Sequence, residues 1–379
     1  MRYISTRGQA DQKNFSGVLL AGLGSDGGLY MPESWPRFSA AELRALRGLP
    51  YAELAARVIA PFVGDCIAFP DLQAMCRRAY AGFAHPATVP LVQLDSAIFA
   101  LELFHGPTLA FKDLVKAMFA DAPFRREMNL SAVNSINFAR IAAQIPYYVA
   151  AALALGAPDR EVAVAVPTGN FGNVLAAWAA RQMGVPVQKF IVASNRNDIL
   201  YRFLNANDMS VRGVEPSLSP SMDIQVSSNF ERLLFELLGR DAAATAAAMA
   251  AFRATGRMAV PDEKWQEIRR EFSGFRLSDE GTLAEIARTW RDATYLADPH
   301  TAVAVAAARE QGPVGLPVIV AATAHPAKFP DAIEQAVGFR PALPPHLSDL
   351  YERKEQYERA PNDLAAIETL VRNFANRNR

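Results

Sequence analysis

Cysteine is almost absent: Cys66 and Cys76 are the two in 379 residues. They stand ten positions apart with no histidine nearby, so they make neither a disulfide framework nor a metal site. A reducing compartment follows, the cytoplasm being the simplest. Net charge is absent as well. Lys plus Arg and Asp plus Glu both number 39, and no bulk field favours nucleic acid or an anionic membrane. Long hydrophobic runs are lacking. The longest, Ile145 to Ala157 and Ala242 to Phe252, fall short of the roughly 20 residues a membrane span needs and read as buried helices. The opening Met1-Arg-Tyr-Ile-Ser-Thr-Arg-Gly8 has no apolar core of a signal peptide. No internal repeat is present. What remains is ordinary globular material, 51% hydrophobic and 21% charged, long enough for two or more domains.

Three regions follow from the patterning. Residues 1–95 read as a mainly helical unit, with apolar residues at helical spacing from Leu43 to Ile59 and a turn-rich stretch from Gly24 to Pro32. Residues 96–340 alternate strand and helix. Val162 to Val166 is a continuous apolar run, as buried parallel strands are. Val174 to Met183 reads as a helix, Val187 to Ala193 as the next strand, and together they form a right-handed βαβ unit. Pro317 to Ala322 is a later strand, followed by a helix from about Pro330. The stretches 231–254 and 262–291 read as long helices. Residues 341–379 read as a charged, then amphipathic, helical tail. The expected class is α/β, an open and mostly parallel sheet flanked by helices.

Two motifs carry chemistry. His105-Gly-Pro-Thr-Leu-Ala-Phe-Lys112-Asp113 places one lysine at the end of a largely uncharged run. Desolvation disfavours an ammonium there and makes the amine nucleophilic, which is what a Schiff-base lysine needs. Pro167-Thr-Gly-Asn-Phe-Gly-Asn173 joins a strand to a helix. Its glycines permit a tight bend and close approach, and the helix start offers free N–H groups to an anion. It is neither the dinucleotide pattern nor a Walker loop. It also reads as a plain βα turn with Asn173 as helix N-cap. A lysine suited to imine formation elsewhere in the chain favours a phosphate-bearing carbonyl cofactor.

At this point the chain resembles the threonine synthases, within the pyridoxal-phosphate enzymes of the tryptophan-synthase-β type (fold-type II). The resemblance runs nearly end to end. It includes Tyr3-Ile-Ser-Thr-Arg-Gly8, Asp26-Gly-Gly-Leu-Tyr30, His105 to Asp113, Asn129 to Asn137, Gly169 to Asn173, Asp298-Pro-His-Thr-Ala302 and Thr323 to Pro330. It implies conversion of O-phosphohomoserine and water to threonine and phosphate. By position it implies Lys112 as the lysine bonded to pyridoxal 5'-phosphate. Gly169, Asn170, Phe171, Gly172 and Asn173 would hold the cofactor phosphate, and Thr323 would offer its hydroxyl to the pyridine nitrogen. Thr323 also reads as a satisfied strand-end hydroxyl. Asn134, Asn137 and Arg140 recur every three residues and would share one side of a helix. They are candidates for the substrate phosphate, or else polar caps and a surface arginine. No metal is implied, and the assembly expected is a monomer or homodimer.

One part of the family pattern is missing. Threonine synthases continue from the lysine motif through a further helix and strand to a Ser-Gly-Asp-Thr-Gly type loop. No such loop occurs here. Leu114 to Arg126 instead resembles a segment the family places well downstream. The expected gap near Asp113-Leu114 is several tens of residues, more than one βα unit of about 30, and it truncates the smaller lobe. Three readings compete: a threonine synthase of impaired activity, a related dehydratase or eliminase, and a non-catalytic cofactor-binding remnant.

Overall fold

The computed structural model describes residues 1–109, 136–350, 352–354 and 361. Lys112, Asn134, the Asp113-Leu114 junction and most of the tail lie outside them. The chain divides into two units, Met1–Pro341 and Ala342–Arg379. The described part of the second holds a short turn at Pro345–Leu347 and an Arg353–Asp349 ion pair.

The first unit opens with β1 (Tyr3–Ser5) and β2 (Tyr30–Pro32), an antiparallel pair, with α1 (Phe15–Ala21) between them. Then come α2 (Ala40–Ala45), α3 (Tyr51–Val63) and α4 (Phe69–Tyr80). Ser39 and Glu42 cap α2 reciprocally, as a capping box does. β3 (Leu91–Gln93) and β4 (Ile98–Glu102) start the main sheet, so the sheet begins inside the stretch read as helical.

After the undescribed segment come α5 (Phe138–Ala142), α6 (Ile145–Ala154), β5 (Val162–Pro167), α7 (Gly172–Gln182), β6 (Val187–Ser194) and α8 (Ile199–Ala206). β7 (Met209–Ser210) pairs with β8 (Arg257–Met258), bracketing α9 (Phe230–Leu237) and α10 (Ala242–Thr255). The unit closes with α11 (Asp262–Glu271), β9 (Phe272–Arg276), α12 (Asp279–Ala293), α13 (Pro299–Gln311), β10 (Val318–Ala322) and α14 (Pro330–Val337).

The six-stranded sheet has the order β3-β4-β10-β5-β6-β9. All neighbours are parallel except the β3–β4 edge pair. The central strands β5 and β10 are apolar and buried along their whole length because both faces of the sheet are covered there. Val162, Val164 and Val166 point into the larger core with α3, α6 and α7, while Ala163 and Ala165 point to the other side, against Val303, Ala304 and Ala307 of α13. Small side chains on that second face let α13 lie close to β5, β6 and β10.

Three helical expectations are corrected. The stretch 262–291 is broken by β9, whose Phe272 and Phe275 are buried. Gly274 lets Asn205 and Leu204 come within 2.9–3.1 Å of where a Cβ would be, a close approach that suits a strand rather than a helix. The stretch 231–254 is broken at Gly239 and Arg240, both left-handed. And Ala242 to Phe252 is helical but not buried: only Thr245 and Phe252 of α10 are inside. Alanine there serves helix propensity rather than the core.

Candidate active site

Parallel strands carry their ligands at the carboxyl ends, where the chain order reverses. Here the reversal lies around β10, the last strand among the described residues, which sits between β4 and β5. Three segments leave the sheet at that edge: Leu103 to Leu109 after β4, Thr323 onward after β10, and Thr168 to Phe171 after β5. The first two are tied together. Leu103 N donates to Ala322 O at 3.0 Å, His325 N to Leu109 O at 3.0 Å, and Lys328 Nζ to Thr108 O at 3.1 Å. Within the first, Glu102 Oε2 and His105 Nε2 stand 2.7 Å apart. The segment that leads to Lys112 is therefore held against the one that carries Thr323.

The third segment turns through Phe171, a non-glycine residue at φ 61°. Leu109, at φ 55°, is the other left-handed residue in these exits. Backbone of this kind persists where surroundings over-determine it, and such residues cluster at functional sites. Phe171 is held by burial between Phe230 and Phe272. Thr168 N is used by Ala193 O at 2.8 Å. The next five main-chain N–H groups, Gly169 to Asn173, find no acceptor among the described residues. Their carbonyl side is occupied: Ser227 Oγ donates to Gly169 O at 2.9 Å, and Asn229 donates to Asn170 O through Nδ2 at 2.9 Å and N at 3.1 Å. A run of free donors around a left-handed turn at a helix start is an anion cradle.

Glycine is required at its first position. A Cβ on Gly169 would lie 2.5 Å from Ser221 O. Asn173 is corrected from helix cap to first-turn residue, because α7 begins at Gly172 and Phe171 stands at the cap. Its Oδ1 accepts from the Tyr148 hydroxyl and lies 2.9 Å from that of Tyr147. Burial pushes both phenols well above their ordinary range, so they stay protonated and donate. Asn173 Nδ2 is buried without an acceptor among the described residues. Thr323 is buried too, and its hydroxyl has no partner among them.

Asn137 and Arg140 do not share a helical face. Asn137 has extended backbone and is the N-cap of α5, where its Oδ1 accepts from Ala139 N at 3.0 Å. Its Nδ2 donates to Leu19 O at 2.9 Å, which consumes the side chain inside the core. Three-residue spacing is helical only where all members are helical, and here the helix starts after Asn137. Arg140 sits on α5, and burial lowers its pKa despite the opposing influence of Tyr147.

The sequence reading missed the residues that brace this site. Ser227 and Asn229 carry no periodic signal. Tyr147 and Tyr148 are hidden in an apolar run. Asp298-Pro-His300 does have a legible signal, a helix cap followed by proline at the first helical position. Among the described residues no cluster of three or more His, Cys, Asp or Glu could hold a metal ion, and no helix is long and apolar enough to cross a membrane.

Comparison with known proteins bears on the family and the fold. Residues 2–80 match the family model "Threonine synthase N terminus", and residues 301–371 match "Threonine synthase, C-terminal". The threonine synthase of Pseudomonas aeruginosa is 44% identical over 465 aligned positions, covering 100% of this chain and 99% of that protein. That of Methylobacillus glycogenes is 32% identical, covering 98% and 99%. Among solved structures, the pyridoxal-phosphate-bound threonine synthase from Brucella melitensis superposes with a TM-score of 0.92 at 41% identity, covering 98% of this chain and 99% of that one. The yeast threonine synthase gives 0.86 at 28% identity, with 98% of both chains covered. The Pseudomonas alignment spans 465 positions against 379 residues here, so 86 or more positions of that alignment hold no residue of this chain. That difference agrees with the internal gap expected from the sequence.

Proposed function

The chain belongs to the threonine synthase family, and from that premise we propose that it acts on O-phosphohomoserine and water, releasing threonine and phosphate with pyridoxal 5'-phosphate as cofactor. The observation that carries this reading is the Gly169–Asn173 cradle, with five free N–H donors and no room for a Cβ at its first position. The donor set suits a phosphate dianion.

When bound, the cofactor supplies an electron sink for the carbon that bears the substrate amino group. Lys112 would bond the cofactor carbonyl carbon, and once displaced by substrate it would carry protons at the α and β carbons. Gly169, Asn170, Phe171, Gly172 and Asn173 would hold the cofactor phosphate. Thr323 would donate its hydroxyl proton to the pyridine nitrogen, and as a neutral group it leaves that nitrogen unprotonated. Arg140 remains the candidate for substrate phosphate, whose departure from the γ carbon needs fixed donors. Water then adds at the β carbon.

The segment missing relative to the family would remove a wall of the active site. We infer that cofactor capture is retained while turnover is severely reduced, because orientation of substrate supplies much of the rate. The 86-position difference favours, as a second reading, a remnant that binds cofactor without catalysis. Two measurements separate these. Addition of pyridoxal phosphate should produce a visible absorbance band that Lys112→Ala abolishes; a wild-type chain with no band sinks the cofactor reading. Phosphate release from O-phosphohomoserine then divides enzyme from remnant, and turnover at the rate of an intact relative would refute the impairment.

A further inference from the structure

Next to the cradle, outside the residues assigned to it, lies a buried carboxylate–imidazole pair. Asp298 caps α13: its Oδ1 accepts from His300 N at 3.0 Å, and its Oδ2 accepts from the main chain and hydroxyl of Thr301. Asp298 Oδ1 also stands 2.9 Å from His300 Nδ1. On the far side of the ring, Ser221 N donates to His300 Nε2 at 3.2 Å. These two contacts fix the tautomer. Nε2 accepts, so the proton is on Nδ1, where Asp298 receives it. The ring is buried, with Phe329 packed at 5.0 Å between centroids.

Ser221 belongs to the short turn Pro220–Met222, whose Met222 side chain is packed in the core beside α13. The carbonyl of Ser221 is the atom that abuts Gly169. The imidazole therefore holds, through one main-chain N–H, the segment that backs the first residue of the cradle. Ser227 and Asn229 hold the cradle's own carbonyls from further along the same stretch. Nothing else among the described residues accepts from Ser221 N.

We propose that His300, oriented by Asp298, is a positioning residue for the phosphate cradle, acting through Ser221 rather than by touching the ligand. This deepens the cofactor reading and rests on it. Removing the acceptor leaves a main-chain donor unpaired and lets the turn shift. The cradle then loses its fixed spacing, and affinity falls for ligands that carry a phosphate.

The test is a titration of the full-length chain with pyridoxal 5'-phosphate and with pyridoxal, which lacks the phosphate, followed by visible absorbance. His300→Leu should bind the phosphorylated compound about tenfold more weakly while its affinity for pyridoxal is unchanged. His300→Gln, whose amide oxygen reaches the position of Nε2, should restore binding to within about threefold of wild type. Should the leucine variant not fold, His300→Asn replaces it, since the shorter amide keeps the Asp298 contact without reaching Ser221. Equal losses for both compounds, or no loss for either, would overturn the proposal and leave the cofactor reading intact. A wild-type chain that captures neither compound would bring down both.

Discussion

Ser221 places its carbonyl oxygen against the bare Cα of Gly169, 2.5 Å from where a methyl group would stand. The obstacle is main chain, not the end of a flexible side chain, so it does not swing away. Gly169→Ala should lower stability by about 1–3 kcal/mol, the ordinary range for overpacking. It should also weaken pyridoxal phosphate by tenfold or more. Thermal unfolding and absorbance titration read the two effects separately, and an alanine variant equal to wild type in both would refute the requirement for glycine.

Thr323 follows the strand that divides β4 from β5 and is a buried residue. Thr323→Ala should keep cofactor capture and reduce turnover roughly tenfold, the value of one hydrogen bond of about 1.4 kcal/mol. Thr323→Ser should retain the wild-type rate. If alanine and serine behave alike, the hydroxyl has no part in the reaction.

Glu231 takes three donors at a buried position: the Thr6 hydroxyl at 2.6 Å, and Arg7 through Nε at 3.0 Å and Nη2 at 2.7 Å. Glu231→Ala should cost about 3 kcal/mol or more, because it strands the Arg7 charge away from water. Arg7→Ala in the same chain should recover part of that loss. Urea unfolding of the two single variants and the double variant tests this, and strict additivity would mean the pair is not coupled.

Asp26 explains the turn-rich stretch at 24–32. Burial pushes its carboxyl upward, but donors from Gly28 N, Gln9 N, the Ser5 hydroxyl and Ala10 N outweigh it, and the pKa falls below 3.8. A depressed carboxyl stabilises the fold above its unfolded value and loses that contribution as pH drops through the folded one. Wild type should therefore exceed Asp26→Asn in stability by about 1 kcal/mol near neutral pH, after allowance for solvent screening. The gap should close below pH 3.8. A gap that does not change with pH would assign the effect to shape rather than charge.

The parts of this fold legible in the sequence share one property: their signal is local. Val162 to Val166 reads as a buried strand because every residue is apolar, and it is one. The loop after it reads as an anion site because glycine and a helix start lie within a few residues of each other. Phe272 to Arg276 is missed because an edge strand shows itself only through pairing with β6, contributed from some 80 positions earlier. Asn137 is misread for a related reason: its partner, Leu19 O, is 118 positions away. The braces of the cradle come from four separate stretches, around residues 147, 221, 228 and 299, and no spacing rule links them.

Residues 98–102 pair with 318–322, which in turn pair with 163–165. The centre of the sheet is thus closed by a strand that follows β5 by some 150 positions and β4 by some 220. Until it arrives, β4 and β5 each present an open edge, the kind of surface that invites wrong partners. Closing a loop of that length makes assembly slow. The pocket that needs the exits of all three strands is consequently a late product of folding, complete only after residues more than 200 positions apart have met.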